Sequence, residues 1–246
     1  MIRPARPRSA MLLAAGTGQR MRPLTEHTAK PLLTLGGRPL VDHALDHLAD
    51  AGVELVVVNA FWHADRLAAH LEGRASRPPR VVLRRETALL DTGASTRAAL
   101  DVLGPDPFYV VNGDAFWLNG TTPALLRLAD AFDDAVDGEL LVHRTFQVHA
   151  DVGFGDFAVD PWGTLRRRRE REVVPYVYAG VQLIAPDLLA DMPAGAFSMN
   201  LAWDRAMEAG RLRAVVHDGL WFHLSTPADL ADAESVLQAR LTGETR

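Results

Sequence analysis

The sequence predicts an α/β fold, three layers deep and Rossmann-like, around a mostly parallel central sheet. Three observations carry this expectation. Strand-like runs alternate with helix-period segments three times within about 110 residues. The first of those runs ends in a Gly-x-Gly turn, and no linker, internal repeat or low-complexity segment divides the 246 residues. The expected organisation is therefore one domain over residues 1–246, with a change of character near residue 140.

The elements follow in order. "AMLLAA", residues 10–15, is the first strand, and a long loop follows it. In "PLVDHALDHLADAG" Leu40, Val41, Ala44, Leu45, Leu48 and Ala49 share one helix face, which Pro39 opens and Gly52 closes. "ELVVVNA" is the second strand, "HADRLAAHLEG" a short helix, "RVVLRR" a strand, "TGASTRAALDVLG" a helix, and "PFYVVNGDAF" a strand running into a turn. Beyond Gly120 the signals mix. A helix over residues 124–132 and a strand "ELLVHR" precede short aromatic runs around a Pro161-Trp162-Gly163 turn, a pattern of strands added at the sheet's edge. A strand over residues 182–185, the amphipathic "LAWDRAMEAG", "LRAVVH", "GLWFHL" and a terminal helix "TPADLADAESVLQARL" complete the chain.

Composition narrows the function. At 48% hydrophobic and 23% charged, the chain can bury a full core. A net charge of -5 supplies no basic field for a phosphate polymer, which argues against nucleic acid and for a small-molecule partner. There is no cysteine, hence no disulfide framework and no thiolate zinc site, and the nine histidines show no zinc-ligand spacing. The basic N-terminus "MIRPARPRSA" meets an apolar run too short for a signal peptide, and no stretch approaches the roughly 18 apolar residues of a membrane span. A cytoplasmic protein, monomeric or a small homo-oligomer, is expected. The run "RRRRER", residues 166–171, reads first as a charged hairpin edge and second as an anion site.

The chemistry concentrates in "LLAAGTGQRMRPLTEHTAKPLL", residues 12–33. Gly16-Thr17-Gly18 is not a dinucleotide fingerprint, because Met21 stands where its third glycine belongs, and it is not a Walker loop, because no Gly-Lys-Ser/Thr follows. Glycine amides can wrap a polyphosphate, Arg20 can grip terminal phosphates as a fork, and Lys30 adds a point charge. Lys30 is the only lysine in the chain; the other 25 basic residues are arginines. Asp114, at the end of "YVVNGD", is placed either as an ordinary turn residue or as a metal ligand at a strand's carboxyl end. Asn59 and Glu86 occupy equivalent strand ends and can meet a base or ribose, with helix capping an equal reading for Asn59. Trp62, Trp203 and Trp221 read as core aromatics.

The whole run G-x-G-x-R-M-x-P-L-T-x(4)-K-P-L closely resembles the signature of the sugar-1-phosphate nucleotidyltransferases. The resemblance extends over nearly the whole chain. It implies a nucleotidyltransferase fold with a nucleotide-binding half over about residues 10–139 and a small sugar-binding lobe over about 140–246. It implies a nucleoside triphosphate and a sugar 1-phosphate as partners and Mg²⁺ as cofactor. Leu13, Ala14, Ala15, Gly16, Thr17 and Gly18 match the nucleotide cradle, Arg20 the arginine on the β- and γ-phosphates, and Lys30 the lysine between the α-phosphate and the incoming sugar phosphate. "ETALLDTGAS" resembles the segment lining the nucleoside and contributes Glu86, Thr92 and Gly93, although Ala94 replaces a usual glycine. Asn112, Gly155, Asp156, Tyr178 and Gly180 match sugar-pocket segments, and Asp114 the metal-binding aspartate. "WFHLSTPADL" is similar to the closing W-x-D-x-G-T-P, but His223 stands in place of an aspartate that is often a second metal ligand, and Ser225 in place of a glycine. His223 can ligate a softer ion, act through a water or on a phosphate, or pack beside Trp221.

The resemblance also explains the solitary lysine. An ionised sugar phosphate attacks the α-phosphorus without a base, so two phosphates must approach each other, and a compact ammonium fits between them where a planar guanidinium does not. No hexapeptide repeat of a left-handed β-helix is present, and the compact form with "NAFWHADRLAAHL" is most similar to the short uridylyltransferases of the family. UTP with N-acetylmuramate 1-phosphate is the favoured pair, mannose-1-phosphate guanylyl transfer the alternative, and a non-catalytic nucleotide-sugar sensor the second alternative.

Overall fold

The computed structural model describes residues 6–148 and 150–241; the first half of the basic N-terminal stretch, residues 1–5, lies outside them. In chain order the elements are β1 (Ser9–Leu13), β2 (Thr34–Leu35), β3 (Arg38–Pro39), α1 (Leu40–Asp50), β4 (Leu55–Ala60), α2 (Ala64–Gly73), β5 (Arg80–Arg85), α3 (Asp91–Ala98), α4 (Leu100–Leu103), β6 (Phe108–Asn112), β7 (Phe116–Leu118) and α5 (Ala124–Ala131). The remainder are β8 (Gly138–Arg144), β9 (Phe157–Val159), β10 (Leu165–Arg167), β11 (Tyr176–Ile184), α6 (Met199–Glu208), β12 (Leu212–Val216), β13 (Leu220–Phe222) and α7 (Pro227–Leu241).

The four strands β6-β1-β4-β5 are parallel, as crossover helices require. The second half joins the same sheet at the β6 side, where β11 pairs antiparallel with β6, β8 and β9, and β12 lies parallel to β8. Alternation along β1 sets the layers. Ala10 and Leu12 face a core shared with Val41, Leu45 and Leu48 of α1 and Leu125 and Leu128 of α5. Met11 faces the opposite core, with Ala94 of α3, Leu103 of α4, and Met199 and Trp203 of α6.

Four details depart from the expected elements. The long loop after β1 contains two 3-10 turns, Gln19–Met21 and Lys30–Leu32, and the β2–β3 hairpin. The helix expected over "TGASTRAALDVLG" breaks at Ala99, because the Ala98 carbonyl accepts a hydrogen bond from Arg84 Nη1 at 2.6 Å while Val102 N turns to Ala99 O. The chain after β6 leaves the main sheet, and β7 pairs antiparallel with β13 instead. The strand expected over residues 182–185 begins earlier, at Tyr176. A third apolar cluster, Met21, Leu33, Leu35, Phe116, Phe222, Leu224 and Ala233, ties the β1 loop to this small sheet and to α7.

The hairpin-edge reading of the arginine run holds in part. β10 is an outermost strand, and Arg166 forms a two-pronged pair with Glu172. Arg167 instead lies against Phe157 and Trp203 and pairs with Asp204 at 2.7 Å.

Glu139 of β8 is buried, and burial pushes its carboxyl up to about 8, with Asp133 adding to the effect and Arg213 opposing it. A carboxyl raised in the folded state binds protons that the unfolded chain releases, so its cost to stability grows as pH rises from the ordinary glutamate value toward 8. Glu139→Gln is expected to raise Tm at pH 8 by on the order of 5 °C and to leave it unchanged near pH 4, as thermal denaturation at the two pH values will show.

Candidate active site

Three adjoining cavities open at the carboxyl ends of the parallel strands, where open α/β sheets hold ligands. The largest, about 620 Å³, is lined by Leu13, Ala14, Ala15, Gly16 and Thr17 after β1, by Asn59 and Glu86 at the ends of β4 and β5, and by Asp91, Thr92, Asn112 and Asp114. A second, about 340 Å³, shares Leu13, Asp91, Thr92 and Asn112 with it and continues to Asp156, Arg167, Tyr178, Gln182, Asn200 and Trp203. A third, about 170 Å³, gathers Arg20, Asn112, Asp114, Tyr178, Gly180 and His223.

The strand ends are fixed by a buried network. Asn59 Oδ1 accepts from Ala14 N at 2.7 Å, Asn59 Nδ2 donates to Glu86 Oε1 at 2.8 Å, and Ser95 Oγ donates to the same oxygen at 2.6 Å. Asn59 thus ties β1 to β5 and does not cap a helix. Glu86 Oε2 is buried with no hydrogen-bond partner among the described residues. At the junction of the cavities Lys30 Nζ lies 2.5 Å from Asp114 Oδ2, with the side chains 12% and 37% exposed. The Lys30 loop is held by Thr25, whose hydroxyl donates to Gly18 O at 2.7 Å and whose carbonyl accepts from Trp62 Nε1 at 3.0 Å. Arg20 is exposed at the mouth of the third cavity and forms no ion pair with the described residues. Burial lowers the pKa of His223; the cations Arg20 and Lys30 reinforce the shift while Asp229 and Asp114 oppose it, which leaves a neutral imidazole beside the aspartate.

Among the described residues no three His, Cys, Asp or Glu side chains converge to enclose a metal ion. Lys30 engages Asp114 Oδ2, and among the described residues the other carboxylate oxygen makes no hydrogen bond. A single carboxylate that lines two of the cavities suits a hard cation that keeps waters and takes most of its oxygens from a bound ligand.

Of the expected site residues, Gly18, Gly93 and Gly155 do not line these cavities. A Cβ at Gly93 would stand 2.4 Å from the Phe197 ring, and its amide, with that of Ala94, donates to the Phe197 carbonyl. Gly93 is a packing residue under the first turn of α3. Gly155 lies under the backbone of Val174, and Gly18 under Thr25. Gly180 does line the third cavity, at φ +79 in the irregularity where β11 shifts register against β8.

Other lining residues escaped sequence reasoning. Asp91 holds a left-handed backbone at φ +65 between the first two cavities, a strained state for a non-glycine residue. Arg167 was hidden in its arginine run. Trp203 and Trp221 are buried, as core aromatics should be, yet each also lines a cavity: Trp203 the second and Trp221 the third. The Ser198 helix cap, whose hydroxyl accepts from Asn200 N, was a usable signal for the segment that places Asn200.

Comparison with known proteins agrees with this geometry. The MobA-like NTP transferase domain matches residues 10–159. The N-acetylmuramate alpha-1-phosphate uridylyltransferase of Caulobacter vibrioides is 37% identical over 98% of this chain and 97% of its own length. The enzyme of that name from Neisseria meningitidis serogroup B is 30% identical over 94% of this chain and 98% of its own. A UDP-glucose pyrophosphorylase solved with UDP-glucose superposes with a TM-score of 0.79 over 95% of this chain and 99% of that one at 14% identity, a likeness of fold.

Gly93→Ala is expected to destabilise the protein by about 1–3 kcal/mol, the usual cost of overpacking, because the new methyl must displace Phe197. Urea denaturation of the variant measures it.

Proposed function

The chain belongs to the MobA-like NTP transferase family and is a sugar-1-phosphate nucleotidyltransferase, and from that premise we propose that it joins UTP to N-acetylmuramate 1-phosphate in cytoplasmic peptidoglycan recycling. The observation that carries the catalytic reading is the Lys30–Asp114 pair, whose lysine lines the first cavity and whose aspartate lines both the first and the third. Two observations support the substrates. Glu86 lines the first cavity and keeps one carboxylate oxygen without a partner among the described residues, which asks for a donor such as the uracil imide N–H. Arg167 brings a guanidinium to the sugar side, which suits a sugar that carries a carboxylate, as N-acetylmuramate does.

The roles then follow from chemistry. Residues 13–17 wrap the triphosphate with backbone amides, and Arg20 grips its outer phosphates as a fork. Lys30 stands between the α-phosphate and the sugar phosphate and offsets their repulsion. Asp114, with His223 in the same cavity, would hold Mg²⁺, and the ion would neutralise charge on the reacting phosphates. An oxygen of the sugar phosphate forms a bond to the α-phosphorus, the bond from that phosphorus to the β-bridging oxygen breaks, and pyrophosphate leaves with the electron pair. No proton needs to be moved. Asn112, Asp156 and Tyr178 line the sugar side, and Thr92 reaches both substrates.

Assay of pyrophosphate release with UTP, dTTP, GTP and CTP against the 1-phosphates of N-acetylmuramate, N-acetylglucosamine, glucose and mannose is expected to favour UTP with N-acetylmuramate 1-phosphate. A preference for GTP with mannose 1-phosphate would overturn the substrate assignment and keep the mechanism.

Lys30→Arg is expected to lose on the order of 2–4 kcal/mol of transition-state stabilisation, read as kcat. Asp114→Ala should abolish turnover and His223→Ala lower it moderately. Glu86→Gln turns an amide N–H toward the base, because the remaining oxygen is needed by Asn59 and Ser95, and should erode the preference for UTP over CTP by about tenfold in kcat/KM.

A further inference from the structure

Six side-chain polar atoms of the described residues are buried without a hydrogen-bond partner. Three belong to arginines whose charge is met by a nearby carboxylate, Arg74 by Asp42 and Asp46 and Arg127 by Asp218. His217 Nδ1 lies in the remote cluster with His143. The other two, Glu86 Oε2 and the Tyr178 hydroxyl, belong to residues that line the cleft, Glu86 the first cavity and Tyr178 the second and third.

Tyr178 is the wall between two cavities. It faces Asp156, Arg167 and Gln182 on the sugar side, and Asp114, Gly180 and His223 on the phosphate side. Its ring cannot move freely. It stands edge-on to Trp203 with centroids 4.7 Å apart, and the Trp203 indole N–H is in turn held by the buried Gln182 Oε1 at 2.8 Å. The backbone N–H of Tyr178 donates to Asp156 Oδ2 at 2.9 Å. A hydroxyl locked in place and left without a partner costs stability, about 1–3 kcal/mol for a buried polar group. Such a cost is retained where a ligand supplies the missing partner.

We propose that the Tyr178 hydroxyl donates a hydrogen bond to the phosphate of the incoming sugar 1-phosphate, and so positions the attacking group at the boundary between sugar and metal sites. The inference rests on the function proposed above and assigns within it a positioning role that no charged residue fills. A neutral donor suits that place. Lys30, between the two phosphates, and the cation that Asp114 would hold already supply positive charge there, and a further cation would hold the nucleophile's charge too tightly for attack, whereas a hydroxyl orients it and leaves it ionised.

The test is Tyr178→Phe, which keeps the ring and its contact with Trp203 and removes only the oxygen. The expected result is a loss of about 10- to 100-fold in kcat/KM for the sugar 1-phosphate, an unchanged KM for the nucleoside triphosphate, and a Tm equal to or above wild type, since an unsatisfied buried group is gone. A purely structural role would move the Tm and leave the two substrates equally affected. Values within twofold of wild type for both substrates would overturn the proposal while the wild-type activity upholds the function. If wild type turns over none of the sixteen pairs, titration of N-acetylmuramate 1-phosphate into wild type and Tyr178→Phe decides: equal affinities, or no binding to either, overturn it, and a selective loss in the variant supports it independently of turnover.

Discussion

The site depends on one ion pair, that between Lys30 and Asp114. The lysine ends the loop that leaves β1 and the aspartate ends β6, 84 residues later. Partly buried pairs add little to stability, because desolvation offsets much of the attraction. Their value here is positional. The pair holds an ammonium and a carboxylate side by side where the loop after β1 meets the end of β6, and under the proposed function each would exchange its partner for a ligand of like charge. Thr25, bonded to Gly18 O and Trp62 Nε1, ties the lysine's loop to the rest of the fold.

Around that pair the two halves of the sheet contribute in different ways. The parallel half offers four strand ends in a row, so residues 13–17, Asn59, Glu86 and Asn112 need only be the last side chains before each turn. The antiparallel half brings Tyr178 and Gly180 along a single strand, β11, whose register shift at Gly180 lets it serve β6 at one end and β8 and β9 at the other. Strands β8 to β12 extend the sheet that the parallel strands begin, and the small β7–β13 sheet adds Trp221 and Phe222 to the third cavity.

Legibility in the sequence follows the range of the interaction. The Gly16–Gly18 turn, the solitary Lys30, the α1 face and Asp114 were readable because each signal lies within one element or its adjoining turn. The pairing of β7 with β13 was not, since about a hundred residues separate the partners and neither run carries a turn signal that links them. Arg167 was invisible for another reason: among five arginines in six positions, only the pairing of β10 with β9 shows which one meets Phe157 and Trp203. Gly93 misled in the opposite direction. Its place in a nucleoside-lining motif suggested contact with ligand, and only the folded chain shows Phe197 occupying the space where a side chain would stand.

In the first turn of α3 the Thr92 amide donates to Asp91 Oδ1, but the amides of Gly93 and Ala94 are met by the carbonyl of Phe197, and Thr92 Oγ1 receives the amide of Met199 at the start of α6. The borrowed cap couples the start of α3 to the start of α6, although more than a hundred residues separate them in the chain. A chimera that exchanges residues 192–200 between relatives must therefore move residues 90–99 in the same cassette, or leave the first turn of α3 with amides unmet.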